Sequence, residues 1–179
     1  MGLRSVGSDV QVDETVRLFG AQHVAIGSHV RIDCFAVITA GPETVSIGNH
    51  VHLGVGTCLF GTAGIEIGDF TSLSSRVSIY STDDDYGGGR LSGPTVPLEV
   101  RSVHSSQVVL ERHALVGAGS VILPGVRISR GSAVGALSMV KRDVGEGEVV
   151  AGVPARFLRR RDVGLLTELE ERVRSAETG

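Results

Sequence analysis

Six histidines and one acidic run hold the side chains of this sequence best suited to moving protons. The run is Asp83-Asp84-Asp85, set in the segment Ser81-Thr82-Asp83-Asp84-Asp85-Tyr86-Gly87. Imidazole titrates near neutrality, so its basic form is on hand at pH 7 and histidine is the natural general base. A carboxylate with a pKa near 4 is a poor base toward a hydroxyl, yet it binds an ammonium group and orients a neighbouring imidazole. The histidines are His23, His29, His50, His52, His104 and His113. Which of them is held rigidly depends on the elements that carry them.

Those elements follow a period of six. Aliphatic residues recur in six groups of three: Val6, Val12, Leu18; Ile26, Ile32, Ile38; Ile47, Leu53, Leu59; Ile67, Leu73, Ile79; Leu110, Val116, Ile122; and Ile128, Val134, Val140. Four places after each comes a smaller residue, such as Val10, Thr57, Ala114, Ser120 or Ser138, and this rule fails only at Gln22, Pro42 and Asp83. Six fits neither a 3.6-residue helix nor a hairpin sheet. It predicts an all-β parallel β-solenoid of six triangular coils, with the large and small residues inward and the residue between them outward.

The outward residues between the first and second hexads are Gln11, Arg31, His52, Ser72, Leu115 and Ala133. His52 therefore projects from a strand, a rigid mount that makes it the leading candidate base, with a polar subunit contact as its plain reading. His29, His50 and His113 fall at corners, His23 in a bulge and His104 late in a loop; His104, His113 and no histidine base at all are the alternatives. Between the second and third hexads the outward set is Arg17, Val37, Cys58, Ser78, Val121 and Met139. Its four apolar members predict a partner surface and a homotrimer packed along that side.

The period breaks after Ile79. An inserted loop, residues 81–109, interrupts the solenoid and carries the acidic run at its base, where a functional loop is expected and a solvated turn is the plain alternative. In the functional reading Asp84 or Asp85 pairs with His52, within the chain or across a subunit boundary, and Asp83, Asp85 and Tyr86 bind the acceptor. The solenoid domain is assigned residues 1–161, and residues 162–179 a C-terminal helix and tail. Leu165, Leu166, Leu169 and Val173 have helical spacing behind Asp162 as N-cap, and this helix is expected to cover the open end of the solenoid.

Bulk properties narrow the class. The chain has 179 residues, a net charge of −3 and no Trp, so a general nucleic-acid or anionic-membrane role has no support. No stretch reads as a signal peptide or membrane span, and Cys34 and Cys58 lack metal or redox spacing. A cytoplasmic protein with free thiols is expected.

The hexads, the interrupting loop, the segment Val116-Gly117-Ala118-Gly119-Ser120-Val121-Ile122-Leu123-Pro124-Gly125-Val126 and the closing Gly152-Val153-Pro154-Ala155-Arg156 resemble the hexapeptide-repeat acyltransferases. The Ser81–Gly87 segment and His52 between Val51 and Leu53 look most like members acting on nucleotide-linked amino sugars, of the dTDP-4-amino-4,6-dideoxyglucose type. The resemblance implies a left-handed β-helix, a homotrimer, and acetyl-CoA as co-substrate with no permanently bound cofactor and no metal. It places Ala118, Ala136 and Ser138 along the pantetheine arm, Lys141 and Arg142 near the nucleotide end, and Arg156 and Arg159 near the phosphates, where arginine suits multidentate recognition. Galactoside and maltose acetyltransferases of this family carry a loop histidine where this chain has Asp83, Asp84 and Asp85. The expected reaction is acyl transfer to a sugar amine. O-acetylation of a saccharide or antibiotic hydroxyl and a non-catalytic scaffold are the alternatives. A metal-dependent carbonic anhydrase would need His50 and His52 to converge, and the period points them differently.

Overall fold

The six-residue period winds into a left-handed parallel β-helix with three faces. In the computed structural model, which describes residues 2–177, successive hexads occupy successive faces. The first face stacks Ser5–Val6, Val24–Ile26, Val45–Ile47, Ile65–Ile67, Val108–Leu110 and Arg127–Ile128. The second runs from Gln11–Val12 to Ala133–Val134, and the third from Arg17–Phe19 to Met139–Val140. Neighbours within these stacks are parallel and in register, so Ile26, Ile47, Ile67, Leu110 and Ile128 stand one above another. Leu53, Leu59, Leu73, Ile79, Leu110 and Ile122 are fully buried in the prism. The small inward residues that are polar find partners without water: Thr57 Oγ1 donates to the Gly54 carbonyl at 2.7 Å and Ser120 Oγ to that of Gly135 at 2.9 Å.

The two ends depart from the sequence expectation. Val6 and Val12 are about half exposed, at 56% and 46%, because among the described residues no coil stacks beneath theirs. At the other end six coils become a partial seventh. Val144, 1% exposed, bridges Ile128, and Glu148–Gly152 adds to the second face beside Ala133–Val134. Ala155–Arg160 then folds back antiparallel on Glu148–Gly152 and covers that last edge.

The C-terminal helix, α1 (Leu166–Glu177), therefore does not close the end, as its apolar spacing suggested. It lies along the corner between the first and second faces, with Leu165, Leu169 and Val173 left 40–64% exposed. Its docked face is charged. Glu170, 7% exposed, accepts from His113 Nε2 at 2.9 Å, and Arg174 meets Asp69 at 2.9 Å. Asp162 does not cap α1 either; its carboxylate accepts from the Gly164 amide in the turn before it.

That corner places Asp9, His29, His50, Phe70 and His113 in the left-handed region, at φ 53–62°. Side chains in the same pose one coil apart lie face to face: His29 on His50, His50 on Phe70, and Phe70 on His113, with centroids 4.4–5.3 Å apart. The stacking offsets the cost of a conformation that residues with a Cβ ordinarily avoid. The inserted loop is anchored at Ser81, whose hydroxyl donates to Phe60 O and accepts from the Ala63 amide. It opens as an antiparallel ribbon of Thr82–Asp84 on Val103–Ser105.

Candidate active site

His52 faces outward from the second face, stacked between Arg31 and Ser72 as the period predicts. Its Nε2 lies 2.8 Å from Asp33 Oδ2, and Asp33 Oδ1 accepts from Arg31 Nε at 2.6 Å. Asp33 sits at the start of a corner, where the following coil has Gly54, and reaches diagonally to the coil above. Its side chain is 15% exposed. The His52 hydrogen bond holds its carboxyl below the usual carboxylate range against the opposing effect of burial, and Arg31 adds to that. A carboxylate bound to one imidazole nitrogen fixes the ring and supports the imidazolium that forms when the other nitrogen takes a proton.

Within the chain the partner of His52 is Asp33, and Asp84 and Asp85 lie in the inserted loop away from it. The loop carboxylates have local partners: Asp84 Oδ2 accepts from the Gly93 amide at 3.1 Å and Asp85 Oδ1 from that of Gly87 at 2.8 Å. Asp83 Oδ1 is 3.2 Å from His104 Nδ1 across the ribbon. Asp83, Asp84 and Tyr86 nevertheless share one groove of about 670 Å³ with Tyr80, Val121, Leu123, Met139 and Lys141. Tyr86 itself is 92% exposed. This groove brings the expected acceptor-binding loop against a residue expected near the CoA nucleotide. His52 is on the second face and the groove on the third.

The expected CoA residues fall into three places. Lys141, Arg142 and Arg156 line a smaller cleft of about 180 Å³ with Ala155 and Phe157. Arg159 is exposed opposite Val149 on the returning strand. Ala118 and Ala136 are exposed in consecutive coils at the corner between the second and third faces, joined by Leu137 N–H donating to Ala118 O at 2.8 Å. The corner there is tight: a Cβ at Gly117 would lie 2.4 Å from the Ala136 nitrogen. Ser138 is the exception. Its side chain is buried, donating to Gly135 O at 2.7 Å and accepting from the Gly152 amide at 3.0 Å, so the hydroxyl braces the coil.

His50 and His52 diverge, as the period requires: His50 joins the corner stack and His52 turns to Asp33. Asp33 is the residue that sequence reasoning missed. Its signal was an acidic side chain two places beyond Arg31, the ladder partner of His52.

No family model matches the chain. Among curated proteins it is 39% identical over 170 residues, 95% of this chain and 88% of the other, to a dTDP-4-amino-4,6-dideoxy-D-glucose acyltransferase of Escherichia coli. Among solved structures it matches a serine-to-cysteine variant of AntD, an N-acyltransferase from Bacillus cereus, in complex with dTDP-4-amino-4,6-dideoxyglucose and coenzyme A. The TM-score is 0.93 and the identity 36%, covering 98% of this chain and 92% of that one. AntD in complex with dTDP and 3-hydroxybutyryl-CoA gives a TM-score of 0.92 at 36% identity, with 98% and 93% coverage. With its hexapeptide period, interrupting loop and likeness along nearly its whole length, the chain is an acyltransferase and belongs to the dTDP-4-amino-4,6-dideoxyglucose acyltransferase family.

Proposed function

We propose that the protein transfers an acyl group from acyl-CoA to the sugar amine of dTDP-4-amino-4,6-dideoxyglucose or a close analogue. The observation that carries this is the shared groove of Asp83, Asp84, Tyr86 and Lys141, in a chain whose relative AntD is described with that amino sugar and CoA bound. In the groove Asp83 and Asp84 receive the ammonium group and Tyr86 covers the sugar. The pantetheine arm follows the exposed Ala118–Ala136 corner toward Lys141 and Arg142, with Arg156 and Arg159 on the phosphates. The 3-hydroxybutyryl-CoA bound by AntD makes a longer acyl donor a natural comparison to acetyl-CoA.

The bound ammonium first releases one proton to solvent, and the neutral amine then attacks the thioester carbonyl to give a tetrahedral oxyanion held by backbone N–H groups. The oxyanion then collapses and expels the CoA thiolate. His52, backed by Asp33, accepts the proton that the attacking nitrogen sheds, and the thiolate takes up a proton as CoA leaves. A homotrimer puts these parts together: His52 of one copy faces the loop groove of the next. The trimer reading draws on half-buried Val37, Cys58, Val121 and Met139 along the third face and on exposed Phe35, Val55 and Leu137 at the adjoining corner. We place the enzyme in the cytoplasm, with its two substrates; no helix among the described residues is long and apolar enough to cross a membrane.

An acceptor panel tests the reading by free thiol released from acetyl-CoA and 3-hydroxybutyryl-CoA. The amino sugar nucleotide should turn over and the hydroxyl analogue should not. Turnover of simple galactosides or antibiotic alcohols alone would make it an O-acyltransferase, and no CoA binding in calorimetry would leave only a scaffold.

A further inference from the structure

The corner between the first and second faces gathers histidines that the proposed reaction does not use, and two of them share a carboxylate. His29 and His50 occupy the same corner position in the second and third coils, with rings 4.8 Å apart and 7° from parallel. Glu177, at the end of α1, sets Oε1 3.3 Å from His29 Nε2 and 3.2 Å from His50 Nε2. Asp9 Oδ2 lies 3.0 Å from His29 Nδ1 on the other side of that ring. We propose that His29, His50 and Glu177 form a site for a divalent transition-metal ion of the zinc type, which clips the end of α1 to the solenoid.

The Asp9 carboxylate accepts only, so it holds the proton of His29 on Nδ1. With its Nδ1 proton held there, the ring can offer its Nε2 lone pair to an ion shared with the Glu177 oxygen. The spacing favours a metal over a proton. Charge-assisted N–H···O bonds run about 2.7–2.9 Å. Zinc bonds of about 2.0–2.1 Å in a tetrahedron instead set neighbouring ligand atoms roughly 3.3–3.4 Å apart. In that geometry each ligand's lone pair aims at the metal, leaving the next ligand atom about 35° off its axis. Both contacts to Glu177, at 3.3 and 3.2 Å, are longer than that of His29 Nδ1 with Asp9 at 3.0 Å or of His113 Nε2 with Glu170 at 2.9 Å.

The surroundings suit such an ion. Asp9 behind His29 forms the carboxylate–imidazole–metal relay that fixes ring orientation in metal sites. The soft χ2 torsions let the stacked rings swivel their nitrogens toward a common centre. Exposures of 33%, 18% and 33% for the three side chains leave an entry path and room for a water as fourth ligand. Arg174, one turn back on α1, has its charge met by Asp69 at 2.9 Å and Glu170 at 2.8 Å. Two imidazoles and one carboxylate are a zinc-type donor set, whereas calcium and magnesium take oxygen ligands.

The full chain, stripped with a chelator and dialysed, is titrated with ZnCl2 by calorimetry and with Co2+ by visible absorption. Wild type should bind one Zn2+ per chain, gain thermal stability, and give the intense band of four-coordinate cobalt. The double variant His29→Phe/His50→Phe should lose the site yet fold, because Phe70 holds the same corner position stacked on His50 at 4.4 Å. Glu177→Gln and Asp9→Asn should each weaken binding, the latter by about tenfold. Wild type lacking a stoichiometric site, cobalt giving only a weak six-coordinate band, or Zn2+ affinity unchanged in the double variant or in Glu177→Gln would each overturn the proposal.

Discussion

Replacing Asp33 by asparagine keeps the shape of the His52 support and removes its charge. The bond concerned is the 2.8 Å contact between Asp33 Oδ2 and His52 Nε2. A charge-assisted hydrogen bond contributes about 1.5–3 kcal/mol. His52 is 44% exposed and Asp33 15%, so water screens the pair and the lower end applies, about 1.5 kcal/mol. If the imidazolium forms in the transition state, that energy is lost there and kcat/KM falls roughly tenfold. His52→Ala, which removes the base itself, should cost about 100-fold or more. The informative measurement is the cycle: thiol release by wild type, both single variants and the double variant, with a melting curve for each to separate misfolding. Asp33 acts only through His52, so Asp33→Asn should cost nothing further in the His52→Ala background. A tenfold loss that persists without His52, or an Asp33→Asn variant indistinguishable from wild type beside a crippled His52→Ala, would refute the positioning role.

Three further outcomes are expected. Ser138→Ala should cost about 1–3 kcal/mol of stability, because the buried Gly152 amide and Gly135 carbonyl lose their partner, while KM for acyl-CoA stays put; a raised KM at unchanged Tm would return Ser138 to the CoA site. Arg156→Ala and Arg159→Ala should each raise KM for acyl-CoA by about fivefold to tenfold with kcat nearly unchanged, as lost phosphate contacts would; unaltered KM in both would move the phosphates elsewhere. The His52 hydrogen bond, and then Arg31, lower the Asp33 pKa in the native state, so its stabilisation is complete above about pH 4, the unfolded value, and is lost as pH falls through the lowered native one. Urea midpoints measured against pH should therefore fall less steeply below pH 4 in Asp33→Asn than in wild type.

The solenoid was legible because its rule is local. A large residue every six positions with a small one four places on fixes both face and register, and it put His52 outward without any knowledge of its neighbours. The same rule places Ser138 inward, as one of the small residues, and its hydroxyl is buried accordingly. Asp33 was hidden for a different reason. It pairs with His52 diagonally, from a corner in the coil below, and corner side-chain reach is not carried by strand alternation. The helix misled because Leu165, Leu169 and Val173 have apolar spacing, yet Glu170 and Arg174 dock it through ion pairs with residues up to 105 positions away. Hydrophobic spacing reports which face would bury best against an apolar wall, and this corner offers imidazoles and carboxylates.

The place of the insertion explains how a repetitive scaffold acquires a single asymmetric site. The loop leaves after Tyr80 in the fourth coil, yet the groove beside its ribbon is walled by Val121 and Leu123 of the fifth coil and Met139 and Lys141 where the sixth ends. The ribbon thus leans forward over coils that follow it in sequence. Those coils also bear Ala118, Ala136 and the Lys141-Arg142 pair, whereas His52 and Asp33 belong to earlier ones on another face. A coil rises about 4.8 Å, and short strands in register allow little adjustment within one prism. Closing the distance between the groove and His52 by bending a chain would mean breaking ladders. Joining separate chains side by side leaves every ladder intact, which is the physical reason the proposed trimer, and not a moving domain, is the arrangement to test.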